Sequence, residues 1–327
     1  MMGLKQIDLV GEWNPQLVRE LKGRLKPRNI LIASTISIIG QILVYLNYKS
    51  LLPLKAGGFN RYCTASPPPD YQAGYYYNNA YCINDLKGHT MILDQLWWLD
   101  IFTFISLVGI GAFLVVGTYL LIADLSKEEN RGTLNFIRLS PQSAKDIFLG
   151  KILGVPILLY LVGALALPFH LTAGLSARIP LNLILGFYGV LIASCAFFYS
   201  AALLFGLISH KNGNLQGLLA SGSIFWFLFV STGWLFWFYT DVYQDVPVTT
   251  FNLLLVFNPA MSLPYLVQST FLSKSTVGYF GLPNASELSW YGQNFWSHAS
   301  AGLSFIIFNF VLWTYWIAQG LKRYFHQ

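Results

Sequence analysis

Six long apolar runs divide the chain, and polar or charged segments separate each run from the next. A helix needs roughly 20 apolar residues to cross the ~30 Å hydrocarbon core of a bilayer. The pattern therefore predicts six transmembrane helices, at about 30–46, 101–123, 152–171, 181–209, 215–239 and 299–319. The fold class that follows is an all-α integral membrane protein.

The amino-acid composition agrees with this fold class. Hydrophobic residues make up 55% of the chain and charged residues only 10%, whereas a soluble domain carries about 25% charged residues. The net charge of +6 is small, and its basic residues concentrate where the topology of a membrane protein places them. The charge therefore indicates no nucleic-acid partner.

Residues 1–29 are polar, which suits an uncleaved cytoplasmic N-terminus. From Pro15 onward the apolar residues Leu17, Leu21 and Leu25 fall on one helical face, and Asn14-Pro15 is a typical helix start. This pattern predicts a basic amphipathic helix that lies on an anionic membrane surface and contacts its lipids. The alternative is a soluble helix that covers other loops.

The polar segment 47–96 is rich in tyrosine and contains Cys63 and Cys82. If the first transmembrane helix leaves the cytoplasm, this segment is external, where disulfides persist. We predict a Cys63–Cys82 disulfide, worth roughly 3 kcal/mol by loop-closure entropy; the alternative is two free thiols. The tyrosines indicate either a lid that faces a substrate or an ordinary membrane interface.

The segment 124–151 is the longest densely charged stretch of the chain. Its basic residues are Lys127, Arg131, Arg138, Lys145 and Lys151, and a loop this basic is expected to stay in the cytoplasm. Within it, 133–139 predicts a short helix with Leu134 and Ile137 on one face. Ser140-Pro141 indicates the start of a second helix. The alternative is a solvated connector whose charges serve only topology.

The segment 240–298 contains an apolar stretch, 251–271, that is interrupted by Asn258, Pro259 and Pro264. A proline in the middle of a helix costs about 3 kcal/mol, and the acidic flanks suit the outer side of the membrane. We therefore predict an external re-entrant pair of short helices before the last transmembrane helix, packed against protein, and not a seventh transmembrane helix.

Six transmembrane helices place both termini in the cytoplasm, and most of the 20 Lys and Arg residues then lie on that side. The expected location is the cell inner (plasma) membrane. No Asp, Glu, Lys or Arg lies in the middle of any predicted transmembrane helix, which disfavours a proton- or sodium-coupled carrier and a membrane enzyme. An apolar path favours a lipid-like or amphipathic cargo. His170, near the outer end of the third helix, is interpreted as an interface residue.

The sequence contains no phosphate-binding G-x-x-x-x-G-K-[ST] loop, no G-x-G-x-x-G and no G-x-S-x-G. Its cysteines and histidines show no metal-ligand spacing. We therefore expect no catalytic site, cofactor or metal in this chain.

Three short patterns resemble the permease subunits of ATP-binding-cassette (ABC) exporters of the type-2 family. The first, in the N-terminal helix, is Asn14-Pro15-x-Leu17-x-Arg19-Glu20-Leu21. The second is the ordered set Glu128-x-x-Arg131-Gly132-Thr133-Leu134, Leu139-Ser140-Pro141 and Ile147-x-x-Gly150-Lys151. The third is Phe257-Asn258-Pro259 before the last transmembrane helix. The layout of six predicted helices is also similar to that family, although segment 47–96 is larger than the layout requires.

The resemblance implies that the 124–151 segment couples the chain to a separate ABC ATPase subunit, which binds ATP and magnesium. The residues that would make this contact are Glu128, Glu129, Arg131, Gly132, Thr133, Leu134, Ile137, Ser140 and Pro141. It also implies a connecting helix that helps to cradle the ATPase, with Asn14, Pro15, Arg19 and Glu20, and a re-entrant element with Asn258, Pro259 and Pro264.

In the mechanism that the resemblance implies, ATP binding displaces 131–141 and tilts transmembrane helices against a second permease copy or homologue. Glu128 and Arg131 would orient the segment by ion pairing, and Leu134 and Ile137 would anchor it. Two alternatives stay open: a non-transporting membrane scaffold or assembly factor, and an ATP-independent channel or carrier.

Overall fold

The computed structural model describes residues 14–64, 80–133, 142–209, 213–237, 254–270, 272 and 298–325. These ranges are almost entirely helical, and six of the helices are long and apolar enough to cross a membrane. The predicted fold class, an all-α protein with six membrane-spanning helices, is confirmed.

The described helices are α1 (Pro15–Arg24), α2 (Pro27–Ser50), α3 (Asp94–Asn130), α4 (Ala144–Gly154), α5 (Ile157–Ser176), α6 (Leu181–Ile208), α7 (Gly213–Trp237), α8 (Leu263–Gln268) and α9 (Ala299–Phe325). The membrane-spanning candidates are α2, α3, α5, α6, α7 and α9. Helix α1 lies at the end of the bundle where α3, α6 and α9 end. We call this end the basic end. The opposite end, where α3, α6 and α9 begin, is the disulfide end.

Helix α3 is longer than the hydrophobic pattern predicts. It runs for 37 residues to Asn130, so residues 124–130 are helical and do not belong to a loop. A π-helical turn, Ala112–Val116, interrupts its regular hydrogen bonding. The Tyr199 hydroxyl donates to the Phe113 carbonyl at 2.6 Å, and its ring occupies the space where Gly117 would carry a Cβ. The π turn therefore fits α3 around a side chain of α6.

The predicted third transmembrane helix is divided into α4 and α5. The break lies at Val155 and Pro156, as expected from a proline that cannot continue the backbone hydrogen bonds. Helix α4 begins after Ser143, whose hydroxyl accepts from the Asp146 N–H at 3.1 Å. Because α3 ends at Asn130 and α4 begins at Ala144, the connection between them is 131–143.

The disulfide end carries a short antiparallel ribbon, β1 (Phe59–Asn60) with β2 (Ala80–Tyr81). The predicted disulfide between Cys63 and Cys82 is present, which confirms that expectation. Next to it, Arg61 donates to both carboxylate oxygens of Asp100, at 2.8 and 3.0 Å. The ribbon is thereby attached to the first turns of α3.

The buried Asp100 carboxylate also accepts from the Tyr62 hydroxyl at 3.0 Å. Burial, and then the negative charge of Asp100, raise the pKa of this hydroxyl above its ordinary value. The phenol therefore stays protonated and keeps donating to the carboxylate.

The described part of the predicted re-entrant region is a short, buried pair of helical turns. Asn258 caps the 3₁₀ turn Pro259–Ser262, which continues into α8. The Asn258 amide also donates to the hydroxyls of Ser231 and Thr232 on α7, each at 2.9 Å. Asn258 is fully buried, so these turns pack into protein, as backbone that leaves a regular helix inside a membrane must. That they dip into the outer leaflet stays a prediction.

His170 on α5 is buried, and its interpretation as a membrane-interface residue is wrong. Its ring stacks on Phe102 with centroids 4.3 Å apart. Its two nitrogens lie 2.8 Å from the hydroxyls of Ser106 and Tyr188. Hydrogen bonding of both nitrogens allows the ring to be buried between helices.

Candidate functional site

The basic end contains a buried cluster of charges centred on Lys151 of α4. The Lys151 side chain is 2% exposed. Its ammonium nitrogen lies 2.7 Å from Asp124 Oδ2 and 2.6 Å from Glu128 Oε2, both on α3. It also lies 3.6 Å from Glu20 Oε1 on α1. One lysine therefore joins three helices.

Two arginines of α1 complete the cluster. Arg24 pairs with Asp124 and with Glu20, the latter at 3.2 Å. Arg19 donates to Glu128 Oε1 at 2.9 Å. The three carboxylates thus face three cations, and the cluster of Glu20, Asp124, Glu128, Lys151, Arg24 and Arg19 carries no formal net charge. We call these six residues the Lys151 cluster.

The carboxylates hold Lys151 in its charged form. Burial alone would lower the pKa of the ammonium, but the charges of Asp124, Glu128 and Glu20 outweigh burial and raise the pKa above its ordinary value. An ammonium that loses its partners in such a site has no water to replace them. The cluster therefore has one favourable arrangement, in which α1, α3 and α4 are all in place.

Small residues let α1 approach α4 closely. A Cβ on Gly150 would lie 2.9 Å from Gln16, and a Cβ on Gly154 would lie 2.5 Å from Glu20. Glycines four positions apart share a helix face, so together they give α4 a face without side chains, against which α1 packs. Side chains at these positions would push Glu20 away from Lys151.

Asn14 fixes the start of α1 against α4. Its side-chain oxygen accepts from the Leu17 N–H at 2.9 Å, as an N-cap. Its amide nitrogen donates to the Asp146 carbonyl at 2.7 Å. The predicted helix start at Asn14-Pro15 is thus confirmed, and the same side chain ties α1 to the first turn of α4.

The face of α1 that packs on protein differs from the predicted apolar stripe. Gln16, Leu17 and Glu20 are buried, whereas Leu21 and Leu25 are only half-buried. The ion pairs of Glu20 turn the helix so that its polar residues face α3 and α4. That the remaining face of α1 lies on a membrane stays a prediction.

The three carboxylates of the cluster offer oxygen atoms within 4.8 Å of one another, a spacing that a metal ion would require. The Lys151 ammonium lies between them at 2.6 to 3.6 Å. This side chain supplies the positive charge that the carboxylates need, so the geometry is that of an ion-pair cluster.

The residues singled out by the sequence divide into two groups. Glu20, Arg19 and Glu128 belong to the cluster, with Asn14 beside it. Pro15 is exposed and opens α1. Arg131 is exposed, and no ion pair joins it to another residue within the described ranges. Glu129 is half-buried.

The end of α3 explains two further residues of the pattern at 128–134. Gly132 has a φ of +69°, the left-handed conformation that ends many helices and that favours glycine. The Thr133 hydroxyl donates to the Glu128 carbonyl at 3.0 Å, which satisfies one of the last carbonyls of α3. Leu134, Ile137, Ser140 and Pro141 lie outside the described residues.

Sequence reasoning missed Asp124, Lys151 and Arg24 as members of a site. In the sequence, Asp124 marks only the start of the charged segment, whereas Lys151 marks its end and completes the pattern Ile147-x-x-Gly150-Lys151. A signal was present: each stands at the edge of an apolar run, and Lys151 lies within the pair Gly150 and Gly154. Charged residues inside a helix that also carries a small-residue face indicate burial against another helix.

No protein-family model, curated protein or solved structure matches the chain. The function is therefore inferred from the residues and their geometry.

Proposed function

We propose that the chain is the transmembrane permease subunit of an ATP-driven ABC exporter, and that a separate subunit hydrolyses the ATP. The observation that supports this most directly is the Lys151 cluster. It joins α1, α3 and α4 on both sides of the 131–143 connection. A protein that displaces this connection would move three helices as one unit.

The cluster suits a mechanical role because its centre, formed by Lys151, Glu20 and Glu128, is buried. Exposed ion pairs are worth little and rearrange easily, whereas breaking a buried pair costs about 3–5 kcal/mol. A displacement of 131–143 would therefore move α1, α3 and α4 together and would not only rearrange side chains at their ends.

All three joined helices are, or lead into, membrane-spanning candidates. Helix α3 is itself a membrane-spanning candidate. Helix α4 continues through the Pro156 break into α5, and α1 is followed within three residues by α2. Movement at the basic end would thus tilt α2, α3 and α5, and a second permease copy or homologue would supply the surface against which they move.

The basic end is the side on which a cytoplasmic ATPase would lie. Lys22, Lys127 and Arg131 are exposed at the basic end, and basic residues next to transmembrane helices favour the cytoplasmic side. In this proposal Leu134 and Ile137 enter a groove on the ATPase, and the substrate is lipid-like or amphipathic.

The test is a double variant, Leu134→Asp plus Ile137→Asp, expressed with a tag in the native membrane. We expect the variant to insert normally but to lose the copurifying ATPase subunit. The matched control, Leu134→Ile plus Ile137→Leu, keeps the volume and the apolar character and should retain it. Unchanged ATPase copurification with the double Asp variant would contradict the proposal.

A further inference from the structure

A cavity of about 590 Å³ lies between α3, α5 and α6, and Ile152 and Leu153 of α4, next to Lys151 in the sequence, also line it. Helix α3 packs against both α5 and α6 and forms its back wall. Among the residues that the structure describes, the lining contains no Asp, Glu, Lys or Arg. Val108, Leu167 and Ile192 are exposed and line the cavity, so they place its mouth on the surface of a membrane-spanning region.

The cavity is elongated along the helices. On α6 its lining runs from Phe187 to Tyr199, which corresponds to about 18 Å at 1.5 Å per residue. One leaflet of a bilayer contributes about 15 Å, half of a ~30 Å hydrocarbon core. A single alkyl chain lying parallel to the helices therefore matches the height of the cavity.

A helix from a second copy of the chain does not match the polarity of this space. A helix with its side chains is at least 10 Å across. Such a helix carries no fixed polar group at one end of its length, whereas the cavity has one polar end and one apolar wall. We therefore infer a thin, flexible occupant with a polar group at one end.

The polar groups of the cavity collect at its disulfide end. Ser106, His170 and Tyr188 each lie within one residue of the disulfide-end limit of the lining on their helix. They form one series of hydrogen bonds. Farther along, the hydroxyls of Tyr160 and Tyr199 donate to the carbonyls of Ile152 and Phe113. The long wall of the cavity is therefore apolar.

The direction of the hydrogen bonds follows from the carbonyl at their end. The Ser106 hydroxyl donates to the Phe102 carbonyl at 2.8 Å, so its oxygen accepts from Nε2–H of His170. Nδ1 of His170 is then the acceptor, and the Tyr188 hydroxyl donates to it. In this assignment the polar protons of Ser106, His170 and Tyr188 are all donated. The Tyr188 oxygen therefore remains as an acceptor at the edge of the cavity.

We propose that this cavity binds a neutral bilayer amphiphile with one long alkyl chain and a hydroxyl headgroup, such as a long-chain alcohol or a monoacylglycerol. The alkyl chain fills the apolar wall, and the headgroup hydroxyl donates to the Tyr188 oxygen. A carboxylate or phosphate headgroup would have no cation in the lining, and burying an unpaired charge is costly. An ammonium headgroup would have no carboxylate.

The experiment uses the full chain in lipid nanodiscs and a photoactivatable diazirine analogue of hexadecanol. We expect crosslinks on the lining residues of α3, α5 and α6. Ala166→Phe and Ala196→Phe, which fill the cavity from two sides, should abolish those crosslinks. Ala301→Phe, which places the same ring at an exposed position on α9 outside the lining, is the matched control and should leave them unchanged.

Competition tests the headgroup. Unlabelled hexadecanol should displace the probe roughly fivefold better than its methyl ether, as one hydrogen bond predicts. Tyr188→Phe, which keeps the ring, should remove this preference and retain the crosslinks. Better competition by palmitate, or crosslinks spread over all six helices and insensitive to both cavity-filling variants, would overturn the proposal.

The binding experiment needs no ATPase subunit, so its failure leaves the proposed exporter function unaffected. Conversely, absence of an ATPase partner leaves the cavity and its ligand class unaffected. The two proposals therefore fail separately.

Discussion

Lys151 and Asp124 stand at opposite ends of one charged segment, and their side chains meet with 2.7 Å between the ammonium and the carboxylate. The segment that separates them leaves α3 and returns as α4. Their contact joins the end of α3 to α4. Glu20 of α1 contacts the same ammonium. The contact between Lys151 and Asp124 therefore holds α3 and α4 together on the two sides of the connection 131–143.

Replacing Lys151 should lower the stability of the folded protein. Lys151→Met leaves three carboxylates facing only two cations and removes the ammonium buried between them, and we expect a loss of about 3–5 kcal/mol. Chemical unfolding in detergent, followed by tryptophan fluorescence, measures the change. Lys127→Met, an exposed lysine of α3, should change stability by no more than about 0.5 kcal/mol. Equal effects of the two substitutions would show that the cluster does not stabilise the chain.

The contribution of Lys151 should depend on pH only in strongly alkaline solution. Its pKa is raised in the folded protein above the ordinary value of 10.5. A raised pKa of a base means that its stabilisation is complete below 10.5 and is lost as pH rises through the folded value. The difference in unfolding free energy between wild type and Lys151→Met should therefore be constant from neutral pH to about pH 10 and shrink above that. A difference that disappears between about pH 7 and pH 9 would contradict the assignment.

The close approach of α1 to α4 predicts opposite effects for three glycine substitutions. Gly150→Ala and Gly154→Ala add a Cβ within 2.9 Å of α1, so they should loosen α1 and speed tryptic cleavage after Lys22, an exposed residue of α1. Gly40→Ala on α2 meets nothing within 4 Å and should stabilise its helix by up to about 1 kcal/mol. Faster cleavage in Gly40→Ala than in Gly154→Ala would argue against the packing of α1 on α4.

At the disulfide end, Asp100 should contribute more to the free energy of unfolding than a surface carboxylate does. Asp100→Asn removes the charge of the buried carboxylate that accepts from Arg61 and Tyr62, and we expect a loss of about 2–3 kcal/mol. Asp85→Asn, whose side chain is 39% exposed, should cost less than about 1 kcal/mol. The comparison is made by chemical unfolding under non-reducing conditions, so that the Cys63–Cys82 disulfide is intact in both variants. A smaller loss for Asp100→Asn than for Asp85→Asn would refute the attachment of the ribbon to α3.

The elements that follow from local chemistry were predictable. Apolar length located the six membrane-spanning helices, and Asn14-Pro15 located the start of α1. The disulfide between Cys63 and Cys82 followed from their shared external segment. These features depend on residues close in sequence, or on the single distinction between lipid and water.

The Lys151 cluster could not be derived in the same way. A lysine at the edge of an apolar run is indistinguishable, in sequence, from one that only orients the chain in the membrane. Its burial depends on Asp124 and Glu20, which are 27 and 131 positions away, and on two glycines that admit α1. His170 is a similar case, since its partners Ser106 and Tyr188 lie on two other helices.

Helix α3 shows where hydropathy misplaces a boundary. Residues 124–130 are charged, so the pattern assigns them to a loop, yet they are helical. Asp124 and Glu128 lie four positions apart and share one helical face, and this face meets Lys151 and the arginines of α1. Tertiary ion pairs, and not hydrophobicity, extend the helix.

The most direct test of the central claim is copurification of the tagged wild-type chain from its native membrane, with the eluate assayed for ATP hydrolysis. The account predicts an ATPase subunit in the eluate, with activity that is absent when the chain carries Leu134→Asp plus Ile137→Asp. A chain that purifies alone, or with a partner that does not hydrolyse ATP, would contradict the exporter proposal and favour a scaffold or an ATP-independent carrier.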